Sequence, residues 1–288
     1  RILARAHELK RGYRRGETPQ TLSGRTLAMY FEKPSLRTHV TFEAGMTQLG
    51  GHAILLRPEQ VGIGTRESAA DVARNLSRWV HGIVARTYDH ALVEELAAAA
   101  TIPVINGLTD LLHPCQAMAG LQSISERAHL EKVAVAYVGD GNNVANSLLN
   151  AFAVLGGEVR LATPRTHQPA RQVRQSATAL AAASGARILF TEDPVEAVRG
   201  AHFVYTDVWT SMGQDEQRTQ RLLDLERFSL DGELLSVASR EAVAMHCLPA
   251  HAGEEISEDV LYGPRSLVWD QAENRLHTQK AIMALVIR

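Results

Sequence analysis

Several short motifs place polar side chains directly after apolar runs of the sequence, where they could bind a small anion. The first is Ser35-Leu36-Arg37-Thr38, which follows the apolar run Thr26–Phe31 and opens a helical pattern. A turn from a strand into a helix directs free backbone N–H groups and the positive end of the helix dipole at one point. Lys33 and Arg37 add positive charge there. The motif predicts a phosphate site, with an ordinary capped helix as the alternative.

Two further motifs of the first half also follow predicted strands. Arg86 ends one strand in Ala85-Arg86-Thr87, and ligands of open α/β sheets bind at the carboxyl ends of strands. Arg86 could therefore share the anion site, although a surface ion pair is the alternative. His113 and Gln116 open a helix in His113-Pro114-Cys115-Gln116. The imidazole could polarise a carbonyl oxygen and the amide could bind an NH2 group, whereas the alternative is a routine helix start.

The second half opens on a glycine turn, Gly139-Asp140-Gly141-Asn142-Asn143, after an apolar strand. The turn is similar to a dinucleotide-binding fingerprint, but Val144 takes the place of the third glycine and no acidic residue follows the next strand. These departures argue against NAD. Asn143 remains as a neutral group that could bind an α-amino or a carboxylate end.

Two later motifs could bind a second, amine-bearing molecule. Asp207 begins the stretch Asp207-Val208-Trp209-Thr210-Ser211-Met212-Gly213 and could pair with a cationic amine, while Ser211 and the backbone after it could hold a carboxylate. Cys247 lies in His246-Cys247-Leu248-Pro249. The neighbouring histidine does not make it a nucleophile, because consecutive residues usually point to different sides. A loop aspartate and a structural cysteine are the alternatives.

The elements that must position these motifs alternate between short apolar runs and helical spacings throughout the 288 residues. This alternation predicts an α/β fold of two βα domains, each with a central parallel sheet. We expect the second domain to be Rossmann-like and a C-terminal helix to return to the first domain. The predicted bounds are 1-126, 127-270 and 271-288. The predicted strands are Thr26–Phe31, His52–Leu56, Gly82–Ala85, Pro103–Ile105, Val133–Val138, Glu158–Ala162, Arg187–Phe190, Phe203–Thr206, Val243–Met245 and Leu267–Trp269.

The composition limits the kinds of partner and the cellular compartment that we expect for this protein. Thirty basic and 32 acidic residues give a net charge of -2, so no overall field would recruit nucleic acid or an anionic membrane. No apolar run approaches the roughly 20 residues that cross a bilayer. Two widely separated cysteines give neither a disulfide framework nor a zinc motif. We therefore expect a cytoplasmic protein, or one of the mitochondrial matrix if its source is eukaryotic. Because Arg1 already lies within a helical pattern, we also expect the true N-terminus to be missing.

In this order, and with Ala272-Glu273-Asn274-Arg275 added, the motifs resemble the aspartate/ornithine carbamoyltransferase family over essentially the whole chain. Ser-x-Arg-Thr and His-Pro-x-Gln are elements of the whole family, whereas Ser-Met-Gly and His-Cys-Leu-Pro are typical of its ornithine-using members. The resemblance implies a first domain that binds carbamoyl phosphate, a second that binds L-ornithine, and closure between them. It also implies a homotrimer or a multiple of trimers, with no metal or organic cofactor.

The resemblance also implies roles for individual residues at the positions that match the family motifs. The residues implied to bind carbamoyl phosphate are Ser35, Leu36, Arg37, Thr38, Gln60, Arg86, His113, Gln116, Cys247, Leu248 and Arg275. Gln60 matches the residue that a neighbouring subunit contributes. Those implied to bind ornithine are Asn143, Asp207, Ser211 and Met212. The implied catalytic residues are Arg86, His113, Asp207 and Cys247, in the transfer of a carbamoyl group to the δ-amine of ornithine to give citrulline and phosphate.

The sequence departs from the common family pattern at two positions. Leu36 replaces a frequent threonine, which matters little if this position offers only its backbone N–H, and His39 replaces a frequent arginine. We expect the affinity for carbamoyl phosphate to be retained but to depend more on Lys33 and Arg86. Two alternatives stay open: a carbamoyltransferase for putrescine or an acylated ornithine, and a non-catalytic homologue that binds one of the substrates.

Overall fold

The structure, a computed structural model, describes residues 1–210 and 215–287, and of Asp215 only the backbone. The chain forms two compact units. One contains Arg1–Gln122 together with the segment that begins at Glu273, and the other contains Ser123–Ala272.

The first unit is built on a parallel sheet. Its elements are α1 (Ile2–Arg14), β1 (Thr26–Phe31), α2 (Leu36–Gln48), β2 (His52–Leu56), α3 (Pro58–Val61), α4 (Ala69–Trp79), β3 (Gly82–Arg86), α5 (His90–Ala99), β4 (Val104–Leu108) and α6 (Pro114–Ser125). The strand order is β2-β1-β3-β4. The order reverses between β1 and β3, and in open α/β sheets ligands bind at the carboxyl ends of strands at such a switch point.

The second unit has its own parallel sheet. Its elements are β5 (Ala134–Val138), α7 (Asn143–Leu155), β6 (Glu158–Ala162), α8 (Arg171–Ser184), β7 (Arg187–Thr191), α9 (Pro194–Val198), β8 (Phe203–Thr206), α10 (Arg218–Leu225), α11 (Gly232–Val237), β9 (Val243–His246), α12 (Glu258–Leu261) and the start of α13 (Val268–Val286). The order β7-β6-β5-β8-β9 is that of a Rossmann-like sheet, with its switch point between β5 and β8. The predicted fold class is thereby confirmed.

Central strands are largely apolar because helices cover both faces of a parallel sheet. All five residues of β5 are buried, whereas β2, at an edge, is only partly buried. In the first unit, Leu27 and Met29 of β1 pack with Phe42 and Met46 of α2, and Met283 and Ile287 belong to the same core. The later part of α13 thus completes the core of the first unit, to which it belongs from Glu273 onward.

A histidine just before a strand joins neighbouring strands in both sheets. His81 donates its N–H to the carbonyl of Thr26 at 2.8 Å, and its Nδ1 accepts the N–H of Thr26 at 3.1 Å. His202 makes the same two contacts with Ala134, at 2.9 and 3.0 Å. Each ring thus holds the start of the first strand of its sheet.

One predicted strand is wrong. Leu267–Trp269 is not a strand: Ser266 forms an isolated bridge with Ala244, and α13 begins at Val268. A three-residue apolar run does not distinguish a strand from a helix start. The polar segment before β9 contains α10, which buries Leu225 in the core. Over residues 1–210 and 215–287, no helix combines the length and the apolar character that a membrane crossing requires.

Candidate active site

The phosphate-site motif forms the start of α2. Ser35 is the N-cap, and its Oγ accepts the N–H of Thr38 at 3.1 Å. The serine hydroxyl can still donate, and the first N–H groups of the helix point the same way. Leu36 is 74% exposed, so its side chain does not contribute to a buried site. The two interpretations of this motif, a capped helix and an anion site, are therefore compatible with each other.

Thr38 is the point at which two buried arginines meet. Arg275 donates from Nη2 to Thr38 Oγ1 at 2.9 Å and from Nη1 to Gln116 Oε1 at 2.6 Å. Arg86 lies with Nη1 3.4 Å from the same Thr38 oxygen. Arg275 is 2% exposed, and Arg86 and Gln116 are also buried. Buried guanidinium groups are stable when they face an anion, so this cluster suits a phosphate or a polarised carbonyl.

His113 is a neutral member of this cluster. Burial lowers the pKa of its imidazole well below the usual value, and the charges of Arg275, Arg86 and Arg37 lower it further. A neutral ring with one N–H can donate a hydrogen bond to a carbonyl oxygen without itself supplying a proton.

A bulge in β4 sets the direction of Arg86. Ala85 pairs with Asn106, but Arg86 pairs with Leu108, so Gly107 is an extra residue in the ladder. A Cβ at Gly107 would lie 3.1 Å from Val84 Cγ1 and 3.2 Å from the carbonyl oxygen of Ala85. Bulges often re-aim a side chain beside a functional site. Glycine thus allows the close approach of β4 where Arg86 leaves the sheet.

Glu32 and Tyr88, which were not predicted as site residues, lie beside Lys33. The Glu32 carboxylate accepts the Tyr88 N–H at 2.9 Å and the Tyr30 hydroxyl at 3.1 Å. Lys33 Nζ lies 4.4 Å from the centre of the Tyr88 ring. Burial lowers the pKa of Lys33, and Arg86 lowers it further. Glu32 could have been predicted from the sequence, because it directly precedes Lys33 in the motif. Nothing in the sequence indicated a role for Tyr88.

His39 and Gln60 make local contacts. His39 Nε2 lies 3.0 Å from Glu43 Oε2 one turn along α2, and its ring packs edge-on against Phe31. Gln60 is exposed, and its Oε1 accepts the N–H of Arg57 at 3.4 Å at the start of α3. Its contribution to a neighbouring subunit stays a prediction.

In the second unit, Asp207 has a partner on each carboxylate oxygen. Cys247 Sγ donates to Oδ1, and Asn142 Nδ2 donates to Oδ2 at 2.8 Å. Asn142 also caps α7, since its Oδ1 accepts the N–H groups of Val144 and Ala145. Residues after β5, β8 and β9 are thereby brought together, as the switch point between β5 and β8 requires.

Asn142 is a site residue that the sequence argument passed over in favour of Asn143, which is the first residue of α7 and only partly buried. Its position before a helix is a typical N-cap signal. Ser211 and Met212, predicted to bind ornithine, lie outside the described residues.

A buried ion pair fixes the glycine turn. Arg221 Nη2 lies 2.6 Å from Asp140 Oδ2, and its Nε donates to the carbonyl of Trp209 at 2.6 Å. Burial raises the pKa of Asp140 to about 6, although Arg221 opposes the shift. Arg221 thus connects the turn before α7 with the segment that follows Asp207.

The loop after β9 is shaped by His246. Its Nδ1 accepts the N–H of Leu248 at 2.8 Å, which leaves the ring hydrogen on Nε2, 3.3 Å from Glu255 Oε1. Leu248 has a left-handed φ of 59°. Burial raises the pKa of Glu255, but the contacts with His246 and with the His251 N–H lower it overall. A charged Glu255 therefore orients His246, which in turn holds the backbone beside Cys247.

Within residues 123–210 and 215–272, two groups of side chains in the second unit bring possible metal-ligand atoms within 4.8 Å of one another. They are Asp207, His246 and Cys247, and His251, Glu254 and Glu255. In the first group both ring nitrogens of His246 already face protein partners, so this histidine acts as a scaffold for the loop.

The first unit carries an arginine cluster at its switch point, and the second carries a carboxylate, a thiol and an amide at its own. Residues 1–126 match the family model "Aspartate/ornithine carbamoyltransferase, carbamoyl-P binding domain", and residues 131–286 match "Aspartate/ornithine carbamoyltransferase, Asp/Orn binding domain". The chain belongs to the aspartate/ornithine carbamoyltransferase family.

Proteins of similar sequence and structure align with nearly the whole chain. An ornithine carbamoyltransferase of Thermus thermophilus is 50% identical over 100% of this chain and 92% of its own length. An anabolic ornithine carbamoyltransferase of Pyrococcus furiosus is 48% identical over 99% of this chain and 91% of its own length. The solved structure of the ornithine carbamoyltransferase from Pyrococcus furiosus has a TM-score of 0.96 and 48% identity, covering 99% of this chain and 92% of that one.

Proposed function

We propose that the protein transfers the carbamoyl group of carbamoyl phosphate to the δ-amine of L-ornithine, giving L-citrulline and phosphate in arginine biosynthesis. The observation that carries the proposal is the meeting of Arg86 and Arg275 on Thr38, beside a neutral His113. The names of relatives about half identical to this chain support ornithine as the acceptor.

Carbamoyl phosphate already carries a good leaving group. The enzyme therefore needs positioning and carbonyl polarisation rather than a covalent nucleophile. Ser35 and Arg37, at the start of α2, would stabilise the departing phosphate. Thr38, Arg86 and His113 would stabilise the oxyanion that forms as the amine attacks. Gln116 Oε1 accepts from Arg275, and the Gln116 amide would bind the carbamoyl NH2 group.

The second substrate must react as a neutral amine. A lysine-like amine has a pKa of about 10.4, so the δ-amine must lose a proton before it attacks. We assign the orientation of this amine to Asp207 and Cys247, and the binding of the amino-acid end to Asn143, Ser211 and Met212. The hydrogen bond from Cys247 to Asp207 supports a shared role in this step.

We assign carbamoyl phosphate to residues 1-126 with the helix of 271-288, and ornithine to residues 127-270. Contacts of Cys247 and Leu248 with carbamoyl phosphate are part of the same proposal. The reaction calls for no metal or organic cofactor. We also propose a homotrimer or a multiple of trimers in which Gln60 serves a neighbouring subunit, and a cytoplasmic location, or the mitochondrial matrix if the source is eukaryotic. The exposure of Gln60 supports the subunit role, and light scattering would test the assembly.

The deciding experiment mixes purified protein and carbamoyl phosphate with ornithine, putrescine, acetylornithine or aspartate in separate reactions, and measures the ureido product. Citrulline from ornithine alone supports the proposal. Product from another amine would keep the carbamoyl phosphate site and reject ornithine. Absence of product from every amine, combined with measurable binding of carbamoyl phosphate, would indicate a binding protein.

A further inference from the structure

Lys10 of α1 is a buried cation that contacts α13 beside Arg275. It is 4% exposed. Its Nζ donates to Asn274 Oδ1 at 2.7 Å and lies 3.1 Å from Glu273 Oε2. A buried ammonium group is costly unless it is paired and hydrogen-bonded. These two contacts are therefore strongly favoured, and the one with Asn274 joins residues 264 positions apart in the chain.

Glu273 and Asn274 immediately precede Arg275 on the same helix. Successive residues of an α-helix are turned by about 100° around its axis and rise about 1.5 Å along it. One ammonium group that contacts both Glu273 and Asn274 therefore fixes the rotation and the height of this turn. Arg275, the next residue, is directed at Gln116 Oε1 and Thr38 Oγ1, at 2.6 and 2.9 Å.

The other partners of Glu273 contribute less. Arg14 Nη2 lies 3.4 Å from the carboxylate, but its side chain is largely exposed, and exposed ion pairs contribute little. His277 lies 3.7 Å away, and burial lowers its pKa to about 4, so the ring is neutral near pH 7. Lys10 is thus the buried charge that orients Glu273.

We propose that Lys10 is a positioning residue for Arg275 and, through it, sets the affinity of the first unit for carbamoyl phosphate. This inference rests on the proposed function. The planar guanidinium group of arginine pairs well with an anion only in a defined geometry, so a small displacement of Arg275 would weaken the binding of carbamoyl phosphate. Lys10 contacts the two residues before Arg275, so its effect passes through the helix turn.

The test compares Lys10→Met with Lys280→Met by calorimetric titration of carbamoyl phosphate. Lys280 is the matched control, since it is another buried lysine of the same unit, but its Nζ donates to Gln48 Oε1 at 2.9 Å and does not contact the residues beside Arg275. We expect the Kd of Lys10→Met to rise about tenfold and that of Lys280→Met to change less than about twofold. Equal Kd changes in the two variants, or none in Lys10→Met, would overturn the inference.

A double-mutant cycle separates positioning from general destabilisation. If Lys10 acts through Arg275, adding Lys10→Met to Arg275→Ala leaves the Kd of the single Arg275→Ala variant unchanged, whereas additive losses contradict the inference. Should Lys10→Met fail to fold, Lys10→Arg keeps the ion pair with Glu273 but not the position of the ammonium group, and we expect a Kd about threefold higher. An unchanged Kd in Lys10→Arg would then overturn the inference. Wild type that binds no carbamoyl phosphate would instead reject the proposed function.

Discussion

Cys247 donates a hydrogen bond from Sγ to Oδ1 of Asp207, across 40 residues of sequence. The contact joins the loops after β8 and β9, and Asn142, after β5, holds the other oxygen of the same carboxylate. Both carboxylate oxygens are therefore oriented before any amine arrives. Such preorganisation removes the cost of arranging the group during the reaction.

Replacement of this carboxylate tests its role with the amine. We expect Asp207→Asn to lower turnover about a hundredfold or more, because the amide keeps the size of the side chain but loses the charge that orients the amine. The affinity for carbamoyl phosphate should be unchanged, as measured by calorimetry. Cys247→Ala, which leaves the carboxylate in place, should lose less activity. An Asp207→Asn enzyme with wild-type turnover would exclude this role.

Arg86 and His39 should differ sharply in their effect on carbamoyl phosphate. Arg86 is buried beside Thr38, so we expect Arg86→Ala to raise the Kd at least about tenfold. His39 contacts Glu43, so His39→Ala should change the Kd by less than about threefold. Calorimetric titration of both variants gives the comparison. Normal binding by Arg86→Ala would reject the dependence on this arginine.

Gly107→Ala tests the bulge in β4. The new methyl group would press on Val84 and on the carbonyl of Ala85, beside Arg86. We expect kcat/KM for carbamoyl phosphate to fall about tenfold, since the strand must shift where Arg86 leaves the sheet. Gly185→Ala is the control, because its Cβ would meet nothing within 4 Å and only the backbone conformation, with φ of 79°, is strained. Equal activity losses in both variants would count against the bulge argument.

The rate should rise with pH between about 6 and 9 at a fixed ornithine concentration, because a larger fraction of the δ-amine is neutral. Burial and three neighbouring arginines keep the pKa of His113 well below its usual value, so this histidine adds no step to the profile in that range. A pH series of citrulline formation measures the slope. A flat profile would show that amine deprotonation does not limit the reaction.

Stability should fall as the pH drops from about 6.5 towards 4 because of His277. Burial lowers the pKa of this ring to about 4 in the folded protein, from 6.5 when unfolded. Between these values the unfolded state binds more protons, so the folded state loses on the order of 1 to 3 kcal/mol. Urea unfolding at a series of pH values would measure the slope. His277→Gln should flatten it, and an unchanged slope would assign the effect to other groups.

Sequence reasoning located the strand-end motifs because the carboxyl ends of parallel strands meet at one edge of a sheet. Ser35, Arg86, Asp207 and Cys247 each follow or end a strand and could be selected for that reason. The supporting residues could not, because their roles depend on contacts between distant positions. Arg221 meets Asp140 only in the folded unit, and the partners of Lys10 lie at the other end of the chain.

The discontinuity of the first unit has a consequence for biosynthesis. A ribosome releases all of Ser123–Ala272 before it releases the segment that carries Arg275, Met283 and Ile287, which belongs to the first unit. Domains usually fold as they emerge, in order from the N-terminus. Here the second unit can fold completely while the first unit still lacks part of its core and Arg275. A nascent chain would therefore complete its anion cluster only after the Arg275 turn of α13 leaves the ribosomal tunnel.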